Sequence, residues 1–512
     1  MNILLATSEA VPFSKTGGLA DVCGALPVEL ARLGHQAAVI VPGYRQSRYC
    51  GQPIEPLGIE FIVPVGSKMV AGHLARSWLP GRTVPVYLVN QDQYFDRDQL
   101  YGADGKDYID NCERFVFFSR AVLEAVRLLD LPVDVLHAND WQTGLVPAYL
   151  KIEYARVPRY QRIASLLTVH NIAFQGQFWH WDMLLTGLDW KYFNWHQMEF
   201  HGKLNLLKTG MVFADSINTV SPRYAQEIQT SPHGCGLEGV LQYRRDVVSG
   251  ILNGIDPAVW NPAADADLPA RYDAQTAGQG KAACKAALQR EVGLPQIPGV
   301  PLVSSVGRLT DQKGLDLITE VIQRWVQTAE VQWVILGTGQ PKYHKLLEGL
   351  AQRHPDKVAV RLEFSNPLAH RIEAASDIFV MPSRFEPCGL NQLYSLRYGT
   401  VPVVRETGGL ADTITGYSTP QAGAPPVGIP QAGTPQVGVP PPNGFCFQEY
   451  SPLALSETLR RACDVYHQQP EVWRQLVQAG MRQDWSWAHS AKQYVELYVK
   501  TISRAGQDHV HA

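Results

Sequence analysis

The stretch Ser14-Lys15-Thr16-Gly17-Gly18-Leu19-Ala20-Asp21-Val22 decides how the start of this chain folds. An apolar run at residues 3–6 precedes it and predicts a short buried strand, and residues 26–34 follow with apolar positions at helical spacing. A lysine and paired glycines between a strand and a helix suit an anion, because glycine lets backbone N–H groups approach closely and a helix start carries partial positive charge. They equally suit a tight turn that needs glycine, so the stretch alone leaves both interpretations open.

Strand-like and helix-like segments alternate through the rest of the chain. In the first half, strand-like apolar runs alternate with helical patterns, and the alternation resumes after residues 253–257. Such alternation predicts βαβ units with parallel sheets. A chain of 512 residues is too long for one core and suggests about two to four domains. We therefore expect an α/β protein with two Rossmann-like, doubly wound domains facing across a deep cleft, the natural place for a ligand.

The expected domain boundaries follow from these patterns. Residues 1–250 form the N-terminal domain and residues 251–485 the C-terminal domain, while residues 486–512 form a helix that crosses back to the N-terminal domain, followed by a tail. A Pro- and Gly-rich insertion at residues 417–442 contains a tandem decapeptide at residues 420–439. Its composition cannot support a helix or a central strand, so we interpret it as an exposed, mobile loop insertion.

Composition narrows the class of protein. The net charge of −3 gives no reason to expect nucleic acid or an anionic membrane as a partner. The eight cysteines are scattered without a Cys-x-x-Cys pair, which argues against a zinc ribbon or a dense disulfide framework and for a cytoplasmic location. A core strand is predicted to begin at Ile3 with no basic leader before it, so we expect no signal peptide. No apolar run has the length of a membrane span.

Two loops of the second half carry charged groups at strand ends. Arg308 and Lys313 flank the loop at residues 307–314, and such cations can hold phosphate oxygens, although a solvated surface pair is the simpler alternative. Glu386 lies in the loop at residues 382–390, where it could bind substrate hydroxyls or balance a cationic transition state, or form a structural salt bridge. Cys388 has no identifiable base beside it, which argues against a nucleophile.

Candidates for other chemistry are weaker. His170 and Asn171 follow a strand and could bind a ligand, although a buried, satisfied histidine is the commoner case. The Asp-x-Asp at residues 96–98 resembles the metal motif of some sugar-nucleotide enzymes, but it lies in a polar stretch away from a clear buried strand. We therefore expect no catalytic metal and no cofactor.

Six motifs in one order resemble the bacterial and plant glycogen/starch synthases, retaining glycosyltransferases with a two-domain GT-B fold. The motifs occupy residues 15–22, 137–141, 168–171, 253–256, 307–314 and 382–390. The resemblance spans nearly the whole chain and continues to residues 484–487. It implies transfer of glucose from ADP-glucose, a substrate and not a cofactor, to the non-reducing end of an α-1,4-glucan with retention at the anomeric carbon.

The resemblance also implies roles for particular residues. The N-terminal domain would face the acceptor and the C-terminal domain would hold the nucleotide sugar. Lys15, Arg308 and Lys313 would bind the diphosphate and replace a metal ion, and Glu386 would contact the donor glucose. Together with His170, these four residues are the predicted catalytic residues. The other implied binding groups are Gly18, Asp21, Asp140, Trp141, His170, Asn171, Asn253, Gly337, Phe364, Cys388, Gly389 and Leu390.

The sequence departs from the family pattern in three places. Tyr394 stands where related families have a second glutamate, and Phe364 lies where a tyrosine often supports adenine. The decapeptides interrupt the region after Asp412. Two alternatives remain open: a retaining glucosyltransferase that uses UDP-glucose or a small acceptor, and a non-catalytic glucan-binding protein.

Overall fold

A computed structural model describes residues 1–103, 105–418 and 440–508 of the chain. The chain divides into two compact units, and the predicted decapeptides at residues 420–439 lie outside the described residues. Unit 1 comprises Met1–Gly254 with Trp487–Ala512, and unit 2 comprises Ile255–Ser486.

Unit 1 is built on a nine-stranded sheet in the order β14-β13-β9-β8-β1-β2-β5-β4-β3. The strands of unit 1 are β1 Asn2–Ala6, β2 Gln36–Pro42, β3 Glu55–Val65, β4 Lys68–Trp78, β5 Pro85–Asn90, β6 Gly102–Ala103, β7 Lys106–Asp107, β8 Val135–Asn139, β9 Ala164–Val169, β10 Gln177–Trp179, β11 Glu199–Phe200, β12 Lys203–Asn205, β13 Ser216–Thr219 and β14 Val248–Gly250. The strands from β14 to β5 run parallel, while β4 pairs antiparallel with both β3 and β5. Strands β10 to β12 and the pair β6–β7 form two small separate sheets.

Helices cover the sheet of unit 1 because their apolar stripes need burial against it. They are α1 Gly18–Arg32, α2 Asp92–Phe95, α3 Asn111–Leu128, α4 Leu145–Ile152, α5 Met183–Thr186, α6 Leu206–Phe213, α7 Pro222–Glu227 and α8 Glu238–Tyr243. Helix α1 packs in one core cluster with β1, β2 and β5, and α3 packs in a second cluster with β3 and β4.

Unit 2 has an all-parallel six-stranded sheet in the order β17-β16-β15-β18-β19-β20. Its strands are β15 Leu302–Val306, β16 Gln332–Leu336, β17 Val358–Arg361, β18 Ile378–Met381, β19 Val401–Arg405 and β20 Phe445–Phe447, and its helices are α9 Ala277–Val292, α10 Leu315–Thr328, α11 Pro341–Arg353, α12 Asn366–Ala375, α13 Asn391–Arg397, α14 Gly408–Thr413, α15 Pro452–Gln468 and α16 Pro470–Arg482. Two α/β units, one with an all-parallel sheet and one whose sheet is mostly parallel, confirm the predicted fold class.

The last helix, α17 Trp487–Asp508, returns to unit 1. Trp487, Tyr494 and Tyr498 are buried in the core cluster that contains β1 and α1. The hydroxyl of Tyr498 is hydrogen-bonded to His137 Nδ1 at 2.9 Å, and Asn218 Nδ2 donates to the hydroxyl of Tyr494 at 3.1 Å. Among the described residues, no helix combines the length and the apolar character that crossing a membrane requires.

Each parallel sheet has one point where the strand order reverses. In unit 1 the chain runs outward from β1 to β2 and then returns to β8 on the other side of β1. In unit 2 it runs from β15 to β16 and then returns to β18. Ligands of such sheets bind beyond the carboxyl ends of the strands where the order reverses. A site is therefore expected in the loops after β1 and β8 in unit 1, and after β15 and β18 in unit 2.

Candidate active site

In unit 2, the loops after β15 and β18 are bonded to each other. The backbone N–H of Arg384 donates to the carbonyl of Gln312 at 2.8 Å. Gly314 has φ +72°, and a Cβ there would lie 2.2 Å from the carbonyl oxygen of Pro382. Only glycine permits this approach. The close packing fixes the position of Lys313, the residue before Gly314, relative to the Glu386 loop.

Lys313 and Glu386 form an ion pair where these loops meet. Lys313 Nζ lies 2.6 Å from Glu386 Oε2, and Ser383 Oγ donates to the same oxygen at 3.0 Å. The Glu386 side chain is 5% exposed and that of Lys313 is 25% exposed. A carboxylate this buried requires such partners, because an unpaired buried charge is strongly unfavourable. The geometry therefore accounts for a charged glutamate beneath the loop surface.

Paired glycines after β19 support the Glu386 loop from the other side. A Cβ on Gly408, which has φ +45°, would lie 1.9 Å from the carbonyl oxygen of Glu386. A Cβ on Gly409 would lie 2.0 Å from the carbonyl oxygen of Cys388. The sequence reasoning did not identify these glycines, although paired glycines after an apolar strand are the same signal that singled out Gly17 and Gly18.

The loops after β15 and β16 are also held together. A Cβ on Gly337 would lie 1.8 Å from the carbonyl oxygen of Gly307, so no side chain fits there. The N–H of Leu309 donates to the carbonyl of Thr338 at 2.8 Å. Arg308 is exposed on this loop. Within the described part of the chain, its guanidinium has no side-chain hydrogen bond or ion pair, so it can reach an anion.

The remaining predicted groups of unit 2 lie at the same edge of the sheet. The Phe364 ring is 83% exposed and follows β17. Cys388 is only 3% exposed, so its thiol is a packed group. Gly389 has φ +73°, and Leu390 directly precedes α13. Tyr394 stacks face to face on Trp260, with ring centroids 3.6 Å apart, so this side chain packs within unit 2.

In unit 1, a buried glutamate that the sequence reasoning missed organises the opening loop. Glu9 accepts hydrogen bonds from the backbone N–H and the hydroxyl of Thr16 at 2.5 and 2.6 Å, and from the N–H of Gly17 at 3.2 Å. The hydroxyl of Tyr101 donates to it as well, at 2.7 Å. A single glutamate near the end of a strand offers no distinctive sequence signal. Its role is to fix the loop that presents Lys15.

Lys15 lies at the exposed start of α1. Its Nζ is 2.7 Å from Asp21 Oδ1, and its side chain is 41% exposed. Burial raises the pKa of Asp21, and the attraction of Lys15 partly offsets that rise. Gly17 caps the helix without a side-chain hydrogen bond, and Gly18 is exposed beside it. The arrangement combines a cation with the partial positive charge of a 15-residue helix, which suits an anionic group.

Asp140 and His170 meet after β8 and β9. The N–H of His170 donates to Asp140 Oδ1 at 2.7 Å, and His170 Nε2 lies 3.0 Å from Asn139 Oδ1. Because the Asn139 amide nitrogen donates to two backbone carbonyls, its oxygen faces His170, and Nε2 of the ring must carry the proton. Burial lowers the pKa of His170 to about 3, so the ring is neutral and Nδ1 is an acceptor. Burial also raises the pKa of Asp140 to about 7.

The other predicted groups of unit 1 differ in accessibility. Trp141 is 9% exposed and packs edge-on against Phe115 at 4.9 Å between ring centroids, so its indole supports the loop from within the core. Asn171 is half-buried, and its side-chain oxygen accepts from the N–H of Ala173 at 3.0 Å. Asn253 is 6% exposed, and its Oδ1 has no hydrogen-bond partner among the described residues.

The two carboxylates of the Asp-x-Asp at residues 96–98 form ion pairs with arginines. Arg45 Nε donates to Asp96 Oδ1 at 2.7 Å, and its Nη1 donates to Asp98 Oδ1 at 2.5 Å. Arg48 lies 3.5 Å from the Asp96 carboxylate as well. Carboxylates neutralised by two guanidinium groups are poor ligands for a metal ion, since the cations compete for the same oxygens.

The predicted residues therefore form one set in each unit. Unit 2 brings Lys313 into contact with Glu386 and places Arg308 on a loop anchored by glycines. Unit 1 brings Lys15 to Asp21, and His170 to Asp140. Each set lies at the carboxyl ends of strands beside the reversal in strand order.

Both halves of the chain match models of known protein families. Residues 2–243 match the family model described as the starch synthase catalytic domain, and residues 294–475 match that of the glycosyl transferases group 1. The chain is 47% identical to a glycogen synthase of Rhodopirellula baltica, with 98% of each chain covered. It is 46% identical to a glycogen synthase of Syntrophotalea carbinolica, with 98% of this chain and 99% of that one covered.

A solved structure gives the same result. The catalytic domain of starch synthase IV from Arabidopsis thaliana, bound to ADP and acarbose, matches with a TM-score of 0.87 and 33% identity, covering 98% of this chain and 99% of that one. Fold and site together define a glycosyltransferase of the GT-B class. Within that class, the chain belongs to the glycogen/starch synthase family.

Proposed function

We propose that this enzyme transfers glucose from ADP-glucose to the non-reducing end of an α-1,4-glucan, with retention at the anomeric carbon. In this reaction the bond from the anomeric carbon to the diphosphate oxygen breaks, and a bond to the acceptor's 4-oxygen forms. ADP leaves, and the proton of the acceptor hydroxyl passes to the departing phosphate or to solvent. We place the reaction in the cytoplasm.

The contact between Lys313 and Glu386 carries the proposal. It places a cation and a buried carboxylate 2.6 Å apart beyond the carboxyl end of β18, where ligands of such sheets bind. A nucleotide sugar has one group for each of these charges. The cation suits the diphosphate, and the carboxylate suits the sugar, whose anomeric carbon becomes positively charged in the transition state. When ADP-glucose binds, Lys313 gains phosphate oxygens as further acceptors.

The remaining groups complete the proposed donor site. Arg308 and Lys15 are the other cations assigned to the diphosphate, and the backbone N–H of Gly18 contributes to binding it. The exposed Phe364 ring is assigned to the adenine. Gly337, whose backbone packs directly on that of Gly307, is also assigned to the nucleotide sugar. Backbone N–H groups of Cys388, Gly389 and Leu390 are assigned to the donor glucose.

Groups of unit 1 are assigned to the sugars. The neutral His170 ring offers Nδ1 as an acceptor for a sugar hydroxyl near the 6-position, and the unpartnered Oδ1 of Asn253 is assigned to the same hydroxyl. Asp21, Asp140, Trp141 and Asn171 are assigned to the donor sugar or acceptor. Three protein cations neutralise the leaving diphosphate, so the proposal requires no metal ion.

One assay tests the donor and the acceptor together. Purified protein is incubated with ADP-glucose or UDP-glucose and with glycogen or a sugar phosphate, and nucleotide release and glucan gain are both measured. We expect equal release and gain with ADP-glucose and glycogen. Faster transfer from UDP-glucose would overturn the donor assignment, transfer only to a sugar phosphate would overturn the acceptor, and retention of glycogen without nucleotide release would indicate a binding protein.

Two substitutions test the assigned residues. Glu386→Ala should abolish transfer while the protein remains folded by circular dichroism, and Lys15→Ala should raise the KM for the donor. Arg384→Ala is the matched control, because Arg384 lies on the Glu386 loop but is exposed and pairs with Asp316 at 3.4 Å. Near-normal activity of Glu386→Ala, or an unchanged donor KM for Lys15→Ala, would contradict the corresponding role.

A further inference from the structure

A buried glutamine directly after the Glu386 loop bonds two of the loop's backbone carbonyls. Gln392 lies in the first turn of α13 and is fully buried. Its side-chain nitrogen Nε2 donates to the carbonyl of Cys388 at 3.0 Å and to that of Gly389 at 3.1 Å. A longer contact of 3.3 Å joins the same nitrogen to Thr413 Oγ1. The roles proposed above do not include Gln392.

These acceptors fix the orientation of the Gln392 amide. Carbonyl oxygens accept and never donate, so only the nitrogen end of the amide can face Cys388 and Gly389. The Thr413 hydroxyl donates its own proton to the carbonyl of Gly409 at 2.6 Å, so it too accepts from the amide. The other end of the amide, Oε1, is buried without a hydrogen-bond partner among the described residues. A Cβ on Gly389 would lie 2.4 Å from this oxygen, so the amide packs directly on the glycine.

The bonded carbonyls determine where the neighbouring N–H groups point. In a trans peptide group, the C=O of one residue and the N–H of the next lie on opposite sides of the chain, and the peptide bonds of this loop are trans. Because Gln392 binds the carbonyls of Cys388 and Gly389, the N–H groups of Gly389 and Leu390 are directed away from its amide. Within the described ranges, neither N–H donates to a protein acceptor, so both are available to a ligand.

A second support acts in the same way on the start of the loop. The N–H of Gly409 donates to the carbonyl of Glu386 at 3.2 Å and to that of Pro387 at 3.3 Å. The N–H of Cys388 follows the Pro387 carbonyl and is therefore directed away from Gly409. Successive N–H groups thus point away from the partners that hold their carbonyls. A loop held in this way is preorganised, because its peptide groups need no reorientation when a ligand binds.

Outward N–H groups can only donate, which suits the oxygen atoms of sugar hydroxyls. The diphosphate of the donor is assigned to the side-chain cations Lys15, Arg308 and Lys313. The cations of unit 2 lie on a loop with glycine contacts of its own, at Gly314 and Gly337. A change at Gln392 should therefore affect the glucose half of the nucleotide sugar and leave the nucleotide half in place.

We propose that Gln392 is a positioning residue for the donor glucose. Its amide holds the peptide groups of residues 388–390 so that their N–H groups meet the hydroxyl oxygens of the sugar, and it does not touch the substrate itself. This role rests on the function proposed above, which supplies the sugar that the N–H groups bind.

Binding measurements with two ligands separate positioning from a structural role. Isothermal titration of the full chain with ADP-glucose and with ADP, without an acceptor, compares wild type with Gln392→Met. Methionine is similar in length to glutamine and has no N–H to donate. We expect the Kd for ADP-glucose to rise about tenfold and the Kd for ADP to change by less than about twofold.

Gln392→Asn is the second variant, since its amide is one methylene too short to reach both carbonyls. We expect a smaller rise in the Kd for ADP-glucose, and this variant decides the question if circular dichroism shows that Gln392→Met does not fold.

Gln332→Met is the matched control. Gln332 is also buried in unit 2, and its Nε2 donates to the carbonyls of Pro295 at 2.8 Å and Asp356 at 3.4 Å. It begins β16 and so lies at the opposite end of the strand from the site. Gln332→Met should lower the thermal stability but change neither Kd.

Transfer assays provide the second readout. In Gln392→Met, kcat/KM for ADP-glucose should fall at least about tenfold, while the KM for glycogen keeps its wild-type value. Equal rises in the Kd for ADP and for ADP-glucose would overturn the proposal, as would an unchanged Kd for ADP-glucose or the same rise in Gln332→Met. Wild-type protein that transfers no glucose, but whose binding of ADP-glucose depends on Gln392 as described, would refute the proposed function and leave the positioning role standing.

Discussion

At the scale of single residues, the ionisation of Asp140 gives a pH-dependent prediction. Its pKa is raised to about 7 chiefly by burial, and it accepts the backbone N–H of His170 at 2.7 Å. A carboxyl whose pKa is raised on folding stabilises the protein at low pH, and this stabilisation is lost as the pH rises through the folded pKa. The asparagine variant keeps the acceptor oxygen and has no charge to bury.

Asp140→Asn should therefore be more stable than wild type at neutral pH. The difference in free energy of unfolding should be small near pH 4 and grow up to about pH 7, at a rate of up to about 1.4 kcal/mol per pH unit. Urea titrations across this pH range measure it. Asp130→Asn is the control, because Asp130 and Asp140 both have positive φ, at 49° and 57°, but the Asp130 side chain is 82% exposed. A difference independent of pH would contradict the assignment.

Which residues the sequence could identify depended on whether they carried a local signal. Lys15, Arg308 and Glu386 lie within three residues of a glycine in loops that follow strands, and this pattern can be recognised from the sequence alone. Glu9 and Ser383 act through contacts that only the folded loops create, at 2.6 Å to Thr16 Oγ1 and 3.0 Å to Glu386 Oε2. Their side-chain types are too common near strand ends to single out.

At the scale of secondary-structure elements, buried parallel strands were the easiest to predict. Strand β18 is a continuous apolar run, and β1 is apolar after Asn2, because both faces of a parallel sheet are covered. The antiparallel pair β3 and β4 was missed. Its residues alternate between buried and exposed, and charged side chains on the open face interrupt the apolar pattern. The sheet of unit 1 is therefore mixed, although the sequence predicted a parallel one.

The flanks of the decapeptides predict how the chain tolerates their removal. The N–H of Tyr417 donates to the carbonyl of Gly444 at 2.8 Å, and the N–H of Asn443 donates to that of Thr415 at 3.0 Å. These bonds join the chain on either side of the insertion. Deleting residues 420–439 leaves five residues between Tyr417 and Asn443, enough for a loop. We expect thermal stability and transfer activity close to those of wild type.

A substitution at the base of the insertion provides the contrast. Asn443 is 1% exposed, and its amide donates to Thr413 O at 2.9 Å and to Gln483 Oε1 at 2.8 Å. Asn443→Ala removes these partners and should cost about 1–3 kcal/mol of stability. Thermal melts of both variants compare the two effects. A deletion as damaging as Asn443→Ala would show that the decapeptides themselves stabilise unit 2.

At the scale of the whole molecule, the chain passes twice between the two units, after Gly254 and after Ser486. Periodicity can locate a helix such as α17, but it cannot say which core receives it, since that depends on contacts far apart in sequence. Tyr498 finds its partner His137 at a separation of 361 residues. Burial lowers the pKa of His137 to about 3, so this ring remains neutral beside the tyrosine.

Separate expression of the units tests this division. Residues 255–486 have their own core clusters and should fold alone, with a cooperative thermal transition and with binding of ADP but no transfer. Residues 1–254 alone should melt at a lower temperature, because without α17 the buried His137 and Asn218 lose Tyr498 and Tyr494.

Fusing residues 1–254 directly to residues 487–512 should restore the stability of unit 1. The fusion is geometrically feasible because Ser490 Oγ donates to the carbonyl of Leu252 at 2.6 Å, so the two ends already meet. Circular dichroism melts of the three fragments measure the effect. If residues 1–254 alone melted at the same temperature as the fusion, α17 would be dispensable for this core. The burial of Tyr494 and Tyr498 would then have to serve a purpose other than stabilising β8 and β13.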